Sequence, residues 1–480
     1  MNAKILLSVI MSIVLLLAPC VFAQQAGQDP RALARFQSAL NEDGFDVTPG
    51  AAMVWDPLGD LCAGTIPSAR LANSGLYLIL NVPKKVPKQG EIPDLTTRFK
   101  IRHDEAVVLI GQTPPPAKYF GFYAWIGTRF YPDKGRTEIF GTVGDAVNNA
   151  TIKTTGSAPF NTPFALIYTP DQGTDAGIRA ALRRAGYPEA IINTNVLPAS
   201  MLKLGDEETA DDFQISLRTA LFEDPIAGQR YIQGAPQTLH IFRVTPRTPA
   251  IPNPFLMPPL RVRGTGESEM RLMNKLGELR AAIIAANAGN YHATDFRSAI
   301  ANYEDYDNLQ REIWADGGTR DAFNLSAGWQ MPQPYLNDII TLGDDEFLMV
   351  YGVNHVATRK TTYMNINFYA TGRKEDGGPP VPKWDAFVGG VSDDLFPGTA
   401  TGYLPGDLDA NLMYAYKVSR NCGKDEPNCL PLSAPCKRVI LDSSTVLGLF
   451  FRMYLEPATK VGAAMQEILY DRVIKFSPRP

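Results

Sequence analysis

Of the residues able to do chemistry, His355 has the most suggestive neighbours. An apolar run, Phe347–Tyr351, leads into it, and an alternating run, Thr362–Ala370, leads away. The segment between them reads as the tip of a hairpin, carrying Asn354, His355, Thr358, Arg359 and Lys360. Loops held by rigid strands are where binding and catalytic groups concentrate. A histidine beside an amide and two cations fits a general base with an anion clamp. In that reading His355 is the catalytic group, and Asn354, Arg359, Lys360 and Tyr363 contact the ligand. The two cations would disfavour the imidazolium and lower the pKa of His355. The competing reading is a solvated turn with an incidental histidine.

The other candidates are weaker. His103 and His240 lie in expected strands and His292 in an expected loop, and no two of the four histidines have metal-ligand spacing. No organic cofactor is evident. Asp305-Tyr-Asp307 and Asp407-Leu-Asp409-Ala-Asn411 alternate oxygen ligands as a calcium loop does. Both lack the glycine and glutamate of an EF-hand, so only the second is kept as a possible calcium site. There is no G-x-S-x-G elbow, P-loop or H-E-x-x-H. Gly264 and Gly266 lack the third glycine and the preceding strand of a dinucleotide fingerprint. Arg129 and Asp145 are expected to form a buried ion pair.

Elements must position these groups. Helices are expected at Asp29–Asn41, with Asp29 as cap, at Asp175–Ala185, with Thr174 as cap and Gly186 as stop, at Glu267–Asn287 and at Asp295–Trp314. Strands are expected at Leu76–Val82, Thr97–His103, Ala106–Ile110, Tyr119–Tyr131, Phe164–Tyr168, Thr238–Thr245, Phe347–Tyr351, Thr362–Ala370, Leu412–Val418 and Val446–Tyr454. The class is α+β with mostly antiparallel sheets. Six prolines fall between Pro246 and Pro259. They read as a stiff linker, giving domains 24–245 and 261–480 around a linker at 246–260. No internal repeat is legible.

Composition bounds the setting. Lys4 precedes an apolar stretch, Ile5–Leu17, too short to span a bilayer, and Val21 and Ala23 suit a cleavage site. Residues 1–23 therefore read as a signal peptide, with the mature chain secreted or periplasmic. The chain of 480 residues has 46 basic and 50 acidic residues. That balance argues against nucleic acid as a partner. No later run reaches membrane-span length. Removing Cys20 with the signal leaves Cys62, Cys422, Cys429 and Cys436, an even number that suits two disulfides, at least one of them within Cys422–Cys436. Two functions remain open. One is a cofactor-independent hydrolase or lyase using His355. The other is a non-catalytic extracytoplasmic protein that binds a small molecule or a surface partner.

Overall fold

The first helix, α1 (Pro30–Glu42), forms where a cap, a proline and an apolar stripe follow one another. Asp29 accepts the Arg31 N–H at 2.9 Å, Pro30 opens the first turn, and Ala32, Phe36, Ala39 and Leu40 are buried on one face. The computed structural model describes residues 29–69, 71–72, 76–88, 90–300, 320–328, 339–373 and 385–480. The expected signal peptide and the Asp305–Asp307 stretch lie outside the described residues. The other described helices are α2 (Pro57–Ala63), α3 (Gln172–Ala185), α4 (Pro225–Thr238) and α5 (Met273–Asn287). No described helix is long and apolar enough to cross a membrane.

The chain forms two compact units. One comprises the residues up to Trp55 together with Tyr77–Pro259; the other is built chiefly from Asp56–Leu76 and the residues from Leu260 onward. In the first unit the principal strands are β1 (Phe45–Pro49), β2 (Ala51–Trp55), β3 (Tyr77–Pro83), β4 (Ala106–Gln112), β5 (Ala117–Tyr131), β6 (Gly135–Thr142), β7 (Pro163–Thr169), β8 (Ile192–Val196), β9 (Asp212–Phe222) and β10 (His240–Pro246). They form one sheet in the order β1-β10-β4-β7-β8 and another in the order β2-β3-β9-β5-β6. Helices α1 and α3 cover the first sheet, with Phe36, Ile178 and Leu182 packed on Ala106, Val108, Ala165 and Ile167. The proline stretch is tied to this unit. Asp171 accepts the Asn253 N–H at 2.7 Å, and Pro170 the Phe255 N–H at 3.0 Å.

The second unit has β11 (Tyr291–Phe296), β12 (Ala299–Ile300), β13 (Ala322–Gly328), β14 (Phe347–Val353), β15 (Tyr363–Arg373), β16 (Asp385–Ser392), β17 (Met413–Ser419), β18 (Cys429–Pro431), β19 (Thr445–Tyr454) and β20 (Arg472–Pro478). Its sheets run β11-β20-β14-β17-β18 and β12-β13-β19-β15-β16, the second extended at its edge by the two-residue strand Ser68–Ala69, parallel to β16. Alternation divides the strands between two cores. Leu348 and Val350 of β14 meet Ile366, Phe368, Leu449 and Phe451 between the sheets. Phe347, Met349 and Tyr351 face the layer that holds Leu276, Leu279 and Ile283 of α5.

Adding ten to every strand number turns the first unit's sheets into the second's. One parallel pair in each unit matches too, β7 with β8 and β17 with β18, whereas the parallel pairing of Ser68–Ala69 with β16 has no counterpart in the first unit. The match extends to side chains. Glu105, one residue before β4, accepts from Arg243 at 2.6 Å, from Thr245 at 2.6 Å and from the Arg102 N–H at 2.9 Å. Glu346, one residue before β14, is bonded in the same way by Lys475 at 2.7 Å, Ser477 at 2.5 Å and the Gly343 N–H at 2.6 Å. Gly111 and Gly352 hold the sixth position of β4 and β14. Arg218 lies over Trp125 and Arg452 over Tyr369, each ring four residues beyond the arginine's cross-strand partner. Three residues after those arginines, Leu221 and Leu455 share a left-handed backbone, φ 47° and 60°. The two units thus repeat one order of principal strands and several side-chain positions, a repeat that the sequence does not announce.

Several local expectations change. Thr97–His103 makes a single bridge, Phe99 to Phe213, and turns at His103. Alternation alone supplies no pairing partner. The expected helix at Asp295–Trp314 begins inside β11, because residues 291–296 pair with β20; its later part lies outside the described residues. His292 is therefore on a strand. The cap of α3 is Asp171, and the Thr174 hydroxyl instead donates to the Asp104 carbonyl at 2.9 Å. Arg129 pairs with Asp211 at 2.7 Å, a partner the sequence reading did not name, because β5 and β9 are neighbours.

Candidate functional site

The turn between β14 and β15 starts from Asn354. Its carboxamide oxygen accepts the N–H groups of Val356 at 3.2 Å and Ala357 at 3.3 Å, and its own N–H donates to the Leu412 carbonyl at 2.8 Å. Such a residue shapes the turn. It turns His355 inward rather than presenting it at an exposed tip. His355 is fully buried, with Nδ1 2.8 Å from Glu269 Oε1 and Nε2 3.3 Å from Asp471 Oδ2.

Both carboxylates are otherwise occupied. Glu269 also accepts the Thr358 hydroxyl at 2.5 Å and the Leu469 N–H at 2.9 Å, and Asp471 accepts the Tyr414 hydroxyl at 2.5 Å. Burial alone would lower the pKa of His355. The charges of Glu269 and Asp471, with their hydrogen bonds, outweigh it and push the value up to about 10. This reverses the sign expected from Arg359 and Lys360. Glu269 shows the reciprocal effect: burial raises its pKa, but the His355 charge and hydrogen bond carry it below its ordinary value. The result is an imidazolium clamped between two carboxylates, with neither nitrogen open to a substrate. His355 lines neither of the two cavities described below.

The remaining expected ligand contacts separate. Lys360 is buried and points to Glu467 at 2.5 Å, Glu456 at 3.0 Å and the Thr265 hydroxyl at 2.9 Å. Burial lowers its pKa, and the two carboxylates more than restore it. Arg359 is exposed and takes the left-handed conformation, φ 61°. Tyr363 is buried against Tyr454, ring centroids 5.6 Å apart, and its hydroxyl accepts Asn365 Nδ2 at 2.8 Å. The structure thus gathers His355 with Glu269, Asp471, Thr358 and Tyr414, and Lys360 with a separate acidic pair. Sequence reading missed Glu269 and Asp471. A buried histidine's need for partners is a signal, but one without an address in the chain.

The calcium candidate is also engaged. Asp407 accepts the Asp409 N–H at 2.9 Å and pairs with Lys275 at 2.6 Å. Among the described residues, Cys422, Glu426 and Cys429 have the spacing of a metal trio, but the two cysteines are bonded to each other. The other disulfide is Cys62–Cys436.

Among the described residues, each unit holds an open cavity. One, of about 640 Å³, lies in the first unit beside Pro115, Glu223, Arg230 and Tyr231. The other, of about 250 Å³, lies in the second unit over Phe347, Met349, Ala415 and Lys417, walled by Tyr291 and Tyr403. The loop between Cys422 and Cys429 rims it, and Glu426 of that loop pairs with Lys417 at 2.7 Å.

No family model matches the chain, and no curated protein matches it. Among solved structures, it is similar to the VPA0106 protein from Vibrio parahaemolyticus, with 11% identity over 94% of this chain and 96% of that one and a TM-score of 0.38. A second likeness is to the N-terminal CBM22-1-CBM22-2 tandem domain from Paenibacillus barcinonensis Xyn10C, with 8% identity over 91% of this chain and 94% of that one and a TM-score of 0.13. At these scores neither likeness carries an argument about function.

Proposed function

We propose that this chain is a non-catalytic, extracytoplasmic ligand-binding protein rather than a hydrolase or lyase. The observation that carries the reading is the occupancy of His355. A general base must reach a substrate proton through a free nitrogen, and both of its nitrogens face buried carboxylates. The same network ties together three segments distant in sequence, which is a structural task. Two disulfides and the signal-like first 23 residues support a location outside the cytoplasm. The test incubates the mature protein with esters, glycosides and polyuronates, alongside His355→Gln, and follows the products by mass spectrometry. No substrate should be converted. Turnover that His355→Gln abolishes while the protein stays folded would overturn the reading.

A further inference from the structure

The smaller cavity stands where the first unit has a helix and the second has none. In the first unit β7 and β8 are joined by α3, whose Ile178 and Leu182 pack on Ala106, Val108, Ala165 and Ile167. The matched glutamates set the register between the units. Ala106 and Val108 correspond to Phe347 and Met349. Their neighbours on β7 correspond through the cross-strand pairs, Ile167 opposite Val108 and Lys417 opposite Met349. Ala165 corresponds to Ala415. In the second unit only residues 420–428 join β17 to β18, and the Cys422–Cys429 disulfide closes that loop. The four positions that α3 covers in one unit are the floor of the cavity in the other. At one of them the fully buried Ile167 of the first unit corresponds to Lys417.

We propose that this cavity is a binding site for one neutral, hydroxyl-rich ring, a monosaccharide. The proposal rests on the binding reading above and gives it a site and a ligand class. Size comes first: about 250 Å³ is smaller than the roughly 300–1,000 Å³ of drug-sized sites and suits a single ring. Charge comes second. The cavity's lysine and glutamate neutralise each other at 2.7 Å, so a net charge on the ligand would be buried without a partner. Yet the pair offers both donors and acceptors. Lys417 has three protons, and Glu426 uses one oxygen for Lys417 and the other for the Gly423 N–H at 2.9 Å, leaving further lone pairs. Adjacent hydroxyls can donate to the carboxylate and accept from the ammonium. Tyr291 and Tyr403 supply the apolar walls against which a sugar's C–H surface packs, whereas Phe347 is already covered by the Phe476 ring and the Lys417 ammonium. The disulfide holds Glu426 in a closed loop, so little ordering remains to be done on binding.

Isothermal titration of the mature, oxidised protein tests this. The neutral probes are D-glucose, D-galactose and D-mannose; D-glucuronate and D-glucosamine are the charged ones. At least one neutral hexose should bind saturably. Glu426→Gln should weaken it tenfold or more, and Ala415→Leu, which fills the floor, should abolish it while circular dichroism stays unchanged. Tyr403→Ala should cause the same loss, and it serves if the leucine variant does not fold. Hexose binding unaffected by these variants would overturn the site but leave the binding reading standing. Preference for glucuronate or glucosamine would overturn the ligand class, and no saturable hexose binding would overturn the whole proposal. Only the turnover described above would overturn the binding reading itself.

Discussion

At the scale of single residues, His355 is a stability determinant. His355→Ala would leave Glu269 and Asp471 buried without their cation. Breaking a buried pair typically costs about 3–5 kcal/mol, against less than about 0.5 kcal/mol for a solvated turn. Urea denaturation at neutral pH separates the two; a loss inside the smaller limit would show that the network is not holding the fold. The pH dependence has a definite sign. The pKa of His355 rises from 6.5 to about 10, so its contribution is complete below 6.5 and is lost as pH climbs through about 10. Glu269 is shifted down, so its contribution holds above its ordinary 4.5 and is lost as pH falls below that. The urea midpoint of the wild-type protein should therefore drop more between pH 8 and pH 11 than that of His355→Gln. Parallel curves would refute the clamp. The sequence marked His355 as unusual but assigned it the wrong neighbours. Arg359 and Lys360 are adjacent in the chain and turn elsewhere, whereas Glu269 and Asp471 lie 86 and 116 residues away.

At the scale of elements, most strands and helices could be read, because period and caps are local. The errors fall where a distant partner decides. The last two residues of β11 read as the start of a helix and His292 as part of a loop, until β20, almost two hundred positions later, pairs with them. Helix α2 was not legible at all. It has seven residues, too few for independent stability, and it persists because Leu61 enters the second unit's core and Cys62 is bonded to Cys436. Removing that bond by the double change Cys62→Ala, Cys436→Ala should lower stability by about 2–4 kcal/mol. Removing Cys422–Cys429 should cost less in unfolded-chain entropy, because its cysteines are only seven positions apart. Comparing the two double variants by thermal unfolding checks the ranking; equal losses would show that the loop-length argument does not govern here.

At the scale of the whole molecule, the structural repeat was hidden because so few positions carry it. Asp104-Glu105 with Gly111 matches Asp345-Glu346 with Gly352, and Arg218 with Leu221 matches Arg452 with Leu455. These are too sparse to stand out among 480 residues until strand order aligns them. What keeps them is backbone geometry and buried charge, the constraints that tolerate least change. The disulfide pattern has a further consequence, for the order in which the molecule can be made. The four bonded cysteines leave the ribosome in the order 62, 422, 429, 436, and an oxidant that joins these four as they emerge would couple Cys62 to Cys422. The native bonds are nested instead, Cys62 to Cys436 around Cys422 to Cys429. Cys62 must therefore wait for 374 further residues, or an early wrong bond must be reshuffled by thiol exchange. Cells lacking a disulfide isomerase should accumulate a form with Cys62 joined to Cys422, visible by peptide mapping without reduction. A segment made late in synthesis thus decides whether one made long before it is ever locked in place.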